Sequence, residues 1–174
     1  MTNTNRTLPK WICYSGAFLF CFFLERCVCN ALPLWHAVPL LAPLTAAAVG
    51  FLEGAEEGAA FGMGAGLLCA VCCGAGNARM IWLLSLSGAL CGLTLHRSLG
   101  RTLPGYLLCA VGTMGLVEAV SLLLRLGRYA APAAAMLPIA AGEAAYSLLF
   151  APAIYLLFSA IYRRFRPDLE FDEP

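Results

Sequence analysis

Polar residues in this chain fall in a few short stretches, with long apolar runs between them. About 20 apolar residues let a helix cross a bilayer core, with a range near 17–25. The runs predict six such helices, near residues 11–29, 37–52, 55–73, 79–95, 106–126 and 133–161. Trp11 and Tyr14 open the first, where an aromatic belt places them. Glu25 and Arg26 lie near its end and are expected to reach the interface by extending their stems. The second is short, and Pro43, which would kink a soluble helix, is accommodated in a bundle where neighbours satisfy the freed carbonyl. An acidic turn over 53–58 follows, with three glutamates and no basic residue to hold it.

The third run carries the most specific pattern. Gly54, Gly58, Gly62 and Gly66 recur at four-residue steps, and Ala70 and Gly74 extend the row. An interior glycine costs a soluble helix about 1 kcal/mol relative to alanine. In a membrane, rows of small residues let two backbones approach closely. The row therefore predicts a packing ridge on a helix in the middle of the bundle, available to helices or to a partner. Gly62-x-Gly64-x-Gly66 is not a nucleotide-binding motif, because it lies inside a helix and not after a strand.

Composition strengthens this picture. Residues are 61% hydrophobic and 12% charged, against about 25% charged in an average soluble domain. The prediction is an all-α integral membrane protein with one domain. Residues 1–10 form a cytoplasmic segment, 11–162 a six-helix transmembrane domain, and 163–174 a cytoplasmic tail. The apolar run after the basic N-terminus meets Glu25-Arg26 and not a cleavage site, so it reads as a retained helix. With six crossings, Arg6, Lys10, Arg97, Arg101, Arg163, Arg164 and Arg166 share the side of the termini, against Arg26, Arg79, Arg125 and Arg128 opposite. Basic residues favour the cytoplasmic side, so both termini are placed there, anchored by Arg163, Arg164 and Arg166.

Candidate chemistry is sparse. Net charge is +1, which gives no basic surface for nucleic acid. Most of the nine cysteines lie inside apolar runs, as small hydrophobes. Neither a catalytic triad, a phosphate loop nor a metal-ligand set is legible, so no cofactor and no enzymatic activity is predicted. Glu118 and Glu143 lie inside the fifth and sixth helices, with Tyr146 and Ser121 near. Intramembrane ionisable groups are functional candidates by default. Three readings stand: interhelical hydrogen bonding, a partner-binding surface, and a proton or ligand path.

Three stretches carry a resemblance to a known family. They are Val38-Pro39-Leu40-Leu41, then Phe51-Leu52-Glu53-Gly54 leading into Phe61-Gly62 and Gly66-Leu67-Leu68, and Gly142-Glu143 through Ala151-Pro152 followed by Tyr155 and Arg163-Arg164. With the order of helices, the chain resembles the bacterial rod-shape-determining MreD family over about 24–166. Two departures stand out. Ala70 replaces an aspartate that many members carry, and Glu25-Arg26 stands where they have Gln-Ser or Gln-Thr. The resemblance implies a non-enzymatic scaffold of the cell-elongation machinery in the bacterial plasma membrane. The implied partners are an MreC-like bitopic protein, the MreB filament, the RodA glycosyltransferase and a penicillin-binding transpeptidase. It also implies a bundle similar to the S components of energy-coupling-factor vitamin transporters, and a transporter S component is the alternative function. The Ala-x-x-x-Ala docking pattern of such components is absent from Ile12–Phe18.

Overall fold

A computed structural model describes residues 4–29, 39–73, 78–97, 102–128 and 133–165. All regular structure among them is helical: α1 (Thr4–Phe23) continued by a π-helical segment (Leu24–Cys29), α2 (Leu41–Glu53), α3 (Ala55–Cys73), α4 (Arg79–Arg97), α5 (Leu103–Arg128) and α6 (Ala133–Phe165). Three helices are long and apolar enough to cross a membrane: α3 over Ala55–Cys72, α5 over Leu103–Gly127 and α6 over Met136–Phe165. Helix α2 and the apolar part of α4 are shorter. The outer surface is apolar as well. Val71, Trp82, Leu123 and Leu149 each expose more than half of their surface, a pattern that marks contact with lipid or protein and not with water.

The centre of the bundle is α2, not the glycine-rich α3 that the sequence pattern favours. Every residue from Leu41 to Leu52 is buried. The reason is in the sequence of α2, which is apolar around its whole circumference, and such a helix belongs in a core. Helix α3 keeps an exposed face along Glu56, Ala60, Met63, Gly64, Leu67 and Val71. Around α2 the core is closed by rings. Tyr14 stacks on Phe158 at 5.7 Å and Tyr106 on Tyr155 at 5.2 Å. Phe51 of α2 meets both Tyr106 and Tyr155 edge-on.

Two further boundaries differ from the expected ones. The acidic turn shrinks to one residue, because α2 ends at Glu53 and α3 begins at Ala55. Gly54 makes the break with φ 129° and ψ 178°, a conformation only glycine adopts without strain. Its N–H still bonds Gly50 O, and its carbonyl accepts from Gly58 N. Pro43 frees no carbonyl within the helix. With α2 starting at Leu41, the proline occupies the first turn, where its missing N–H has no helical partner to lose.

Candidate functional site

The glycine row is used inside the chain. Helices α3 and α4 form an antiparallel hairpin with the most extensive contact in the fold. A Cβ added at Gly58 would strike the backbone of Gly50 and Gly88. One at Gly62 would strike Leu84, and one at Gly66 the backbone of Ile81 and Met80. At the far end, a Cβ on Gly92 of α4 would strike Gly54 and Ala55. Gly50, Gly58 and Gly88 thus bring three backbones together where α2, α3 and α4 converge. A partner could meet Gly58, Gly62 and Gly66 only by displacing α4.

The intramembrane acids fall between α5 and α6. Glu143 Oε2 lies 4.0 Å from Arg125 Nη2, which is a charge pair and not a hydrogen bond. Glu118 is buried, and its Oε1 has no hydrogen-bond partner among the described residues. Tyr146 packs its ring against Phe150 at 5.7 Å. The pattern of acids omitted Arg125, which faces Glu143 across the α5–α6 interface. The neighbouring Ser147 serves the backbone and not the carboxyl group: its hydroxyl donates to the Glu143 main-chain carbonyl at 2.7 Å and accepts from Leu40 N at 2.8 Å.

That last bond belongs to a cap built by three helices. Glu25 does not extend to an interface. It is 5% exposed, and its Oε2 accepts from Leu41 N at 2.8 Å and Ala42 N at 3.3 Å. The first N–H groups of a helix have no helical acceptor. Here Ser147 takes Leu40, Glu25 takes Leu41 and Ala42, and Pro43 has none to satisfy. The π-helical segment places Glu25 inward and leaves Arg26 over the Phe22 ring at 5.5 Å.

At the other end of α2, Glu53 joins α1. Its Oε2 accepts from Lys10 Nζ and its Oε1 from Tyr14 OH, both at 2.6 Å. The acid that lacked a local base is neutralised from 43 residues away. Glu53→Gln is expected to keep the Tyr14 bond and cost about 1 kcal/mol. Glu53→Ala removes the shared acceptor of a partly buried ammonium and a buried phenol, and should cost about 3 kcal/mol. Denaturant unfolding of the purified protein in detergent checks the order; equal stability of the two variants would remove the cluster's role.

Arg163 and Arg164 lie exposed in the last turn of α6, where positive charge complements the helix dipole. Arg166 lies outside the described residues. Cys13, Cys21, Cys27 and Cys72 carry free thiols, and Cys91 Sγ lies 3.3 Å from Thr113 Oγ1. Among the described residues no group of His, Cys, Asp and Glu is arranged to hold a metal ion. No protein-family model, curated protein or solved structure matches the chain.

Proposed function

We propose that this protein is a non-enzymatic membrane scaffold, an MreD-like subunit of the machinery that builds the bacterial wall along the cell's length. One observation carries the choice of a scaffold over a transporter S component. The middle of the bundle, where a substrate would sit, is filled by Tyr14, Phe51, Tyr106, Tyr155 and Phe158. The hydroxyls there serve the fold, with Tyr14 on Glu53 and Tyr106 on Leu44 O at 3.1 Å. What remains for function is the outer surface.

The reading includes six crossings with both termini cytoplasmic. Helix α2 spans only about 20 Å, but it is enclosed by protein and its length need not match the lipid. Helix α6, 33 residues long, reaches about 50 Å and must tilt or project beyond a core of about 30 Å. Its projecting end carries Arg163 and Arg164.

Purification of the tagged protein from its own membranes in mild detergent tests the reading. An MreC-like bitopic protein together with a wall glycosyltransferase or transpeptidase is expected in the eluate, by mass spectrometry. Two ATPase subunits with a shared transmembrane coupling protein would establish the transporter reading instead.

A further inference from the structure

We propose that the groove between α1 and α3 receives a single transmembrane helix of a partner chain that carries Lys or Arg at its cytoplasmic end. The inference rests on the scaffold reading and its orientation. Trp11, Ser15 and Leu19 line one wall, and Ala60, Gly64 and Leu68 the other, around a space of about 370 Å³. A shallower hollow continues along α1 over Leu8, Ile12 and Gly16. Both helices run the same way from the Lys10–Glu53 end, so the groove follows their axes for about two turns, roughly 12 Å.

The glycines of this face differ from those of the α3–α4 seam. A Cβ added at Gly16 or Gly64 meets nothing within 4 Å. The fold itself gains no packing from their lack of a side chain. Yet an interior helical glycine is unfavourable by about 1 kcal/mol relative to alanine, and exposed backbone between small residues suits the close approach of another helix.

Charge identifies the occupant. Glu56, Ala60, Gly64 and Leu68 follow one another at four-residue steps on the exposed face of α3, so Glu56 heads the groove at its cytoplasmic end. Glu57 stands beside it. Lys10, at the same end of the bundle, is held by Glu53. Glu56 and Glu57 are exposed and make no ion pair among the described residues. Anionic lipid headgroups are repelled from such an end. A second copy, related by an axis normal to the membrane, would bring its own Glu56 and Glu57 to the same place. A membrane helix with basic residues on its cytoplasmic flank, the common arrangement, complements both the charge and the groove.

The test places a photo-crosslinking amino acid at Leu19 or Leu68 of the full chain in native membranes, with Trp82 on α4 as the reference position. Leu19 and Leu68 are expected to form adducts with one protein, mapped to a membrane-spanning segment with Lys or Arg at its cytoplasmic end. Gly64→Leu, whose Cβ enters open space at the groove, should lower adduct yield at least tenfold with an unchanged melting temperature. Glu56→Lys with Glu57→Lys should lower it about fivefold, and reversing the partner's basic residues to Glu should restore it. Adducts with lipid alone, adducts with a second copy, or yields indifferent to Gly64→Leu and to charge reversal would overturn the proposal. Wall enzymes in the eluate with only lipid adducts at Leu19 and Leu68 would end the groove proposal and leave the scaffold reading. An adduct with a transporter coupling protein would end both.

Discussion

Gly62→Leu is expected to break the α3–α4 hairpin, while Gly64→Leu, two residues further on, leaves the fold intact. The two positions share a helix and a residue type. They differ in what stands over them. A Cβ at Gly62 falls on the Leu84 carbonyl and on the Ser85 nitrogen, all backbone; one at Gly64 meets open space. No rotamer change removes a backbone clash, so α3 and α4 must separate, and the loss extends along the seam to Gly58 and Gly66. Overpacking a tight core costs about 1–3 kcal/mol and sometimes more. Gly62→Ala should stand near the upper end, about 3 kcal/mol, and Gly62→Leu beyond it. Gly64→Leu should change stability by less than about 0.5 kcal/mol, as exposed substitutions do. Unfolding in detergent followed by tryptophan fluorescence measures both, since Trp82 sits on α4. Equal stability of the two leucine variants would show that the seam does not set the hairpin.

This contrast also shows how far the sequence reaches. The four-residue glycine spacing announces a close helix contact, because small residues at that period leave a continuous strip of bare backbone. It does not say whose backbone fills the strip. That depends on α4 offering Gly88 and Gly92 at the matching antiparallel register, a relation between segments about 30 residues apart that no single run displays. The central position of α2 was legible in principle. Its residues are apolar on every side, whereas α3 opens with Glu56 and Glu57, which need water. The lone acids were the least legible feature. Glu53 gains its base from α1, and Glu143 meets Arg125 across the α5–α6 pair. Local charge counts along the chain hide both.

Glu25→Ala is expected to cost roughly 3 kcal/mol, because it strips two buried N–H groups of their acceptor at once, each worth about 1–3 kcal/mol when left unsatisfied. The sequence gives no hint of this role. The donors, Leu41 and Ala42, lie 16 and 17 residues further on, and a helix start normally takes its cap from the residue just before it. Leu40 cannot cap, having no polar side chain, and it makes no side-chain cap bond. The acceptor must therefore come from another element, and the widened turn after α1 delivers it. Glu25→Gln retains one carbonyl oxygen and should cost about 1 kcal/mol. Arg26→Ala, on the same turn but exposed, should cost less than about 1 kcal/mol. Amide hydrogen exchange separates a cap from general packing: Leu41 and Ala42 should lose protection in Glu25→Ala well before the amides of α5, since the loss begins at one helix end. Because α2 touches α1, α3, α4, α5 and α6, fraying at its start loosens the surfaces that all of them present outward. Partner recovery should then fall with the exchange rate at Leu41, although Glu25 itself faces no partner. Full protection at Leu41 and Ala42 in Glu25→Ala would mean that the carboxyl oxygen is not what holds the start of α2.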